Sequence, residues 1–349
     1  MTAQVLKLRQ RFDNTTLDQL TESLNKRKAN AFDIEAKLKE VRILDNGCLK
    51  FGKGEVYSLD QWSFNQWCQR LKVPVDFLRR CPKDVGNSSQ KSIFDYWKEQ
   101  RADKRLLFRV KTHEEKDMET GAVGRVRAVL SDRYSVFDNH DILPRMIPYV
   151  KKYNLQPQIS KVTERAMHLR LLFPEEVIIG KTLDGKDDKH NFAFHLLNSE
   201  IGAYSAVQGD MSIFRQVCSN GLIVVHDREH LLKMSHGRSL GREEFKNALS
   251  AAFETFIGKR EEMELIVESA QTDKLASKEH ALTEVRSILS ASHASDETIT
   301  RAEKMFTNEP QVTRFGVIQA VTAAARTLPV DRRVALETAA GEYLLRVAA

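Results

Sequence analysis

Long apolar runs are missing from this chain of 349 residues. None approaches the ~18–20 residues that a bilayer-spanning helix needs, and the mean hydropathy is -0.42, so a bundle of membrane helices is excluded. The first thirty residues alternate basic, polar and acidic groups without an apolar signal core, so a cytoplasmic protein is expected. Cysteine is scarce. Cys48, Cys68, Cys81 and Cys218 stand far apart with no CxxC pair, which argues against a zinc ribbon or a thioredoxin-type motif. They read as buried thiols in a reducing compartment. Phosphate-binding loops are absent as well. Gly180-Lys181-Thr182 ends like one, but Glu175 stands where the leading glycine must fall. There is no GxGxxG and no GxSxG, and no cofactor is expected.

What is present is an ordinary globular composition, 42% apolar and 29% charged, enough for a packed core. The length implies two domains or one with appendages. Charge is uneven along the chain. Residues 1–180 carry 33 basic and 24 acidic side chains, net +9, and residues 181–349 carry 21 and 24, net -3. A basic front and a mildly acidic rear fit a polyanion-facing part joined to a part that packs against protein. The same split also arises by chance.

The hydrophobic period divides the chain into three: a mainly helical region over 1–100, a β-rich core over 101–235 and a helical region over 236–349. Thr16 is placed to cap a helix with Leu17, Leu20 and Leu24 on one stripe. Asn46-Gly47 marks a turn between the strand-like Glu40–Leu44 and Cys48–Phe51. Ser58 with Gln61 resembles a capping box for a helix through Trp62, Trp67 and Leu71. Ser88 or Ser89 is a candidate cap for a helix bearing Phe94 and Trp97. The period then changes to two in Arg105–Lys111 and Arg125–Leu130, a hairpin with one apolar and one arginine-rich face. Further alternation follows at Met167–Phe173 and Phe192–Leu196, and helical spacing returns in Phe245–Ile257, a stripe that extends toward Ser269. Phe315–Arg326 and Val330–Leu345 form a closing helical pair broken at Pro329. The expected fold class is α+β: an antiparallel sheet with helices packed on one side, plus helical segments at both ends.

Two patterns carry chemistry. His226-Asp-Arg-Glu229-His230 spells HxxEH, in which two histidines would hold zinc and Glu229 would act as base. It follows a strand-like segment directly, so a solvated charged loop is the competing reading. His190 and His195, five apart in a strand, point to opposite faces. The basic hairpin is the stronger signal. Arg105, Arg109 and Lys111 on one strand and Arg125 and Arg127 on the next project from one face, followed by Arg133 and Tyr134. Lys161, Arg165 and Arg170 extend the same surface. Cations that track a backbone beside rings that accept bases are what single-strand binding requires; a solvated sheet face is the alternative.

Arg127-Ala-Val-Leu-Ser-Asp-Arg-Tyr134, Asn198-Ser-Glu-Ile-Gly202 and Ile213-Phe-Arg-Gln-Val-Cys-Ser-Asn-Gly-Leu222, with Phe315-Gly-Val-Ile-Gln-Ala-Val-Thr322 downstream, resemble the phage- and plasmid-like proteins catalogued as domain of unknown function 932. The resemblance runs from about residue 55 to 345. It implies a protein of mobile elements, with a role in replication, recombination or evasion of host defence. One reading connects it with single-strand annealing proteins of the Red-beta, RecT and Erf class, which bind single strands in a basic groove across ring or filament subunits. Arg215 lies within the third string. It is read as part of a half-buried helix, either meeting phosphate or pairing with Glu200 or Asp210.

The expected function is therefore single-stranded DNA binding and strand annealing by a homo-oligomer, without turnover or metal. Two alternatives stand beside it: a metal-dependent hydrolase on His226, Glu229 and His230, and a protein-binding inhibitor of a host defence system.

Overall fold

The computed structural model describes residues 16–345 apart from 114, 183, 205, 217–219, 226–229, 238–240 and 309. Two six-stranded sheets organise it. Helix α1 (Leu17–Ala29) opens on a reciprocal cap, in which Gln19 N donates to the Thr16 hydroxyl and Thr16 N donates to Gln19 Oε1. The first sheet combines β1 (Ala31–Lys37), β2 (Val41–Ile43), β3 (Leu49–Phe51) and β4 (Val56–Leu59) with β5 (Arg105–Thr112) and β6 (Gly124–Ser131). Its order is β1-β5-β6-β4-β3-β2, antiparallel except for the β4–β6 pair.

Three helices, α2 (Gln61–Leu71), α3 (Val75–Arg80) and α4 (Lys83–Gln100), separate β4 from β5. Trp67 and Phe94 pack at 5.1 Å between ring centroids and Phe108 joins them from the sheet. The cap of α2 is Asp60, whose carboxylate accepts from Ser63 N at 2.8 Å, so the helix starts later than the Ser58 pattern implies. Helix α4 starts earlier than its serines suggest, directly after Pro82, because proline's fixed φ suits a helix entry.

The second sheet follows α5 (Asn139–Lys152). Its strands are β7 (Gln156–Val162), β8 (Met167–Lys181), β9 (Asp187–Asn198), β10 (Ala206–Arg215) and β11 (Asn220–Val224), with β12 (Leu232–Ser235) continuing β11's edge of β10. Alternation sends Met167, Leu169, Leu171, Phe192, Phe194 and Leu196 to one face. There α6 (Arg242–Gly258) supplies Phe245, Leu249, Phe253 and Phe256, all buried. Phe194 stacks on Phe253 at 4.6 Å and Phe173 on Phe256 at 4.7 Å. The apolar stripe of α6 does not run on unbroken. Lys259 separates it from α7 (Arg260–Thr272). Then come α8 (Lys278–Ala291), α9 (Asp296–Asn308), α10 (Arg314–Ala325) and α11 (Val330–Leu345), the last two parted at Pro329 as the sequence requires.

The second sheet is curled. Ile159 of β7 and Ile223 of β11, from its opposite edges, share one apolar cluster with Val330 and Val334 of α11. Helix α11 thus lies along the gap between the edges. The inner face of the curl is polar: His168, Arg170, His195, Asp210 and Ser212 are all buried, with Glu337 of α11 inserted among them. Gly341 is where α11 touches β11. A Cβ there would stand 1.8 Å from Ile223 O.

Candidate functional site

The expected basic track is not assembled on one open face. Arg109 is 6% exposed. Its Nε donates to Asp33 at 2.9 Å, its Nη1 to Asp138 at 2.5 Å and to Glu200 O at 2.8 Å, and its Nη2 to Asp138 at 2.9 Å. Burial opposes this charge, but the Asp138 carboxylate, aided by Asp33 and Glu200, outweighs it and holds the guanidinium protonated above its ordinary range. Arg127 pairs with Glu200 at 3.4 Å and Arg125 with Glu164 at 2.9 Å. A bulge after Arg109, where Arg109 faces Ala128 but Val110 faces Val126, displaces Arg127 from simple alternation.

These contacts form a joint between the two sheets. Tyr134 is no open stacking ring: its hydroxyl donates to Ser199 O at 2.9 Å and its ring stacks on His236 at 4.8 Å. Trp62 Nε1 and Gln66 Nε2 both donate to Ile201 O, and Asn139 N donates to Glu200 Oε1. The strings Arg127–Tyr134 and Asn198–Gly202 therefore meet face to face. Gly202 sits in the left-handed region (φ +68°), and a Cβ there would stand 2.9 Å from Leu130.

The remaining expected residues disperse. Arg170 is fully buried with Glu337. Arg215 ends strand β10, not a helix, and its Nε donates to Asp188 at 2.8 Å while its guanidinium lies over Phe315. Met211, Ile213 and Arg215 alternate as strand residues, and the acid that reaches Arg215 comes from the neighbouring strand β9. Arg165 approaches the Trp62 ring at 5.8 Å, and Lys161, Arg105 and Arg133 are exposed. Lys111 lines a shallow groove with Lys26 and Arg27 of α1.

A different cationic surface emerges from α2, α4 and the turn before β5. Arg101 lies 4.6 Å and Lys72 5.7 Å from the centroid of Trp97. Tyr96, 57% exposed, meets Trp97 edge-on at 5.4 Å. Partial burial, then repulsion from Arg101, Arg70 and Lys72, depresses the Lys104 ammonium below its ordinary value, against the pull of Asp132. Among the described residues none of these four cations forms an ion pair; the neighbouring Asp103 is taken by Lys37 and Lys39 at 3.0 and 2.9 Å. Arg105 is adjacent in the chain. Sequence reasoning missed this patch because Lys72 and Trp97 are 25 positions apart and meet only through helix packing. The i, i+4 spacing of Trp97 and Arg101 was its one local signal.

His226 and Glu229 lie outside the described residues. His230 Nδ1 is 2.8 Å from Asp210 Oδ1, and among the described residues no group of three or more His, Cys, Asp or Glu side chains is placed to hold a metal ion. Cys48 and Cys68 are buried thiols, and burial pushes Cys68 up to about 11. Cys81 is half-exposed rather than buried, and Cys218 lies outside the described residues.

The architecture defines a mixed α+β protein whose curled sheet is sealed by its own closing helix, with a buried arginine joint to a second sheet. The family described as Domain of unknown function (DUF932) matches residues 126–334, and the chain belongs to it. That span runs from the β6 side of the joint to the first turn of α11. No curated protein matches, and no solved structure does.

Proposed function

We propose that the chain is a single-strand nucleic-acid-binding protein of a mobile element, acting in strand annealing, and that it meets the strand on the Trp97 surface rather than on the β5–β6 hairpin. The observation that carries this reading is Lys72 and Arg101 over the Trp97 ring, with Lys104 close enough to be repelled by Arg101, Arg70 and Lys72. Among the described residues no carboxylate comes within ion-pair distance of these four, Asp132 exerts only the weakest pull on Lys104, and Arg70 Nε donates to Val129 O. Like charges held together are destabilising unless something neutralises them, and a phosphate backbone does so with release of counterions. Tyr96 offers the open ring on which a base stacks. Annealing needs no nucleotide turnover. It needs two strands neutralised with their base edges free.

Fluorescence anisotropy of a labelled oligothymidine over a salt series tests this. Four phosphate contacts predict a log–log slope of about -3, at ~0.7 per contact for single strands. Arg101→Ala should flatten the slope by one contact, and complementary oligonucleotides should anneal faster with the protein than without. A slope near zero, or equal affinity for duplex, overturns the reading.

A further inference from the structure

The mouth of the curled sheet holds a cavity of about 370 Å³, bounded by strand residues of β9 and β10 on one side and by α11 on the other. It is remote in sequence from the Trp97 surface and plays no part in the nucleic-acid reading above. Its size is that of a small-molecule site. Three features of its lining define what fits. Among the described residues no lysine or arginine lines it. Two acids do line it. Asp210, 5% exposed, has His230 as its hydrogen-bond partner at 2.8 Å, and Glu342 stands exposed at the rim. Leu197, Val334, Ala335 and Ala339 supply apolar wall.

His195 adds an independent pointer. It is 2% exposed and lines the cavity, and its Nε2 has no hydrogen-bond partner. Buried polar atoms in folded proteins are nearly always satisfied, so an orphan on a side chain that lines a cavity points to a missing partner. Burial, then the charges of Arg170 and His168, holds this imidazole neutral, which leaves one ring nitrogen able to accept. A buried carboxylate and a neutral imidazole, with the Gln208 amide beside them, stand between apolar walls.

We propose that this cavity binds a small organic cation, an amine or guanidinium on a short apolar stem. The charged head is held by Asp210 and His195 Nε2, and the stem lies against Val334 and Ala339. Glu342 draws the cation to the mouth.

Titration calorimetry with agmatine and butylamine tests this, with 1-butanol and butyrate as neutral and anionic controls of similar size. The cations should bind saturably one to one and the controls should not. Asp210→Asn should abolish binding. Because that variant risks the fold, Glu342→Gln, at an exposed position, provides the second arm: it should weaken the cations about threefold, the worth of one solvent-exposed charge near the site. Trp97→Ala should leave agmatine binding intact while weakening oligonucleotide binding, which separates this site from the nucleic-acid surface. The proposal is overturned if 1-butanol binds as well as butylamine, if neither cation binds at millimolar concentration, or if Glu342→Gln and Asp210→Asn both bind agmatine as the parent does.

Discussion

The Arg170 guanidinium meets the Glu337 carboxylate inside the curled sheet, and both side chains are wholly withdrawn from solvent. Arg333 adds a second contact to the same carboxylate at 2.9 Å. Burial opposes ionisation of Glu337, but Arg170 and Arg333 hold its carboxyl below the usual range. Gly221 completes the arrangement. A Cβ there would stand 2.3 Å from Arg170 Nη1, so the Asn-Gly step of β11 clears room for the pair.

Removing one partner strands the other as a buried charge. Glu337→Ala is expected to destabilise the protein by about 3–5 kcal/mol, whereas replacing both partners by apolar residues of similar volume, as in Arg170→Met with Glu337→Leu, costs much less. Urea denaturation of the two single variants and the double variant checks this. Equal losses in the single and double variants would show that the pair contributes packing rather than charge compensation.

The Arg109 joint should separate stability from binding. Arg109→Lys keeps the charge but cannot reach Asp33, Asp138 and Glu200 O together, so the melting temperature should fall. Oligonucleotide affinity, measured below the melting temperature, should stay at the parent value, while Arg101→Ala loses affinity without loss of stability. Reversal of the two outcomes would return the binding surface to the hairpin.

Acid should weaken the fold from pH 7 downward through three histidines, of which His236 is depressed by burial against its contact with the Ser135 carbonyl. His190 is depressed by burial, against the pull of Asp188, and His195 by burial with Arg170 and His168. A group whose folded pKa lies below its unfolded value of about 6.5 binds its proton first in the unfolded chain. The stability is present above pH 6.5 and is lost as pH falls below it, by up to about 1.4 kcal/mol per pH unit for each histidine. Asp210, raised by burial against the pull of His230, works in the opposite sense above its unfolded value. Denaturation midpoints at pH 7, 6 and 5 should decline, and His195→Gln should shallow the decline.

Gly341→Ala probes the seal between α11 and β11. Alanine is the better helix former, but its Cβ would stand 1.8 Å from Ile223 O and 2.8 Å from the same carbonyl carbon. The helix must move off the strand, at a cost of about 1–3 kcal/mol. A neutral or stabilising result would mean that the contact is loose in solution.

Much of the fold was legible because period reports burial wherever one face of an element is covered. Phe245–Phe256 read as a helix, Arg105–Lys111 and Arg125–Leu130 as paired strands, and Pro329 as a break. Thr16 caps α1 as its place before the Leu17, Leu20 and Leu24 stripe implied. Errors arose where a competing local choice existed, as at Asp60 against Ser58. Arg215 misled because its short segment allows both helical and strand spacing.

The sequence by itself determined the elements, the absence among the described residues of a helix long and apolar enough to cross a membrane, and the alternation that puts His190 and His195 on opposite faces. Alternation cannot say what covers a polar face. The arginines of β5 and β6 were readable as one side of a hairpin, but only the tertiary structure set Asp138 and Glu200 against them. Likewise, only helix packing put Lys72 and Arg101 over one tryptophan. Local periodicity follows from backbone geometry within a few residues, whereas charge pairing depends on which distant segments share space. That is decided by the packing of the whole chain.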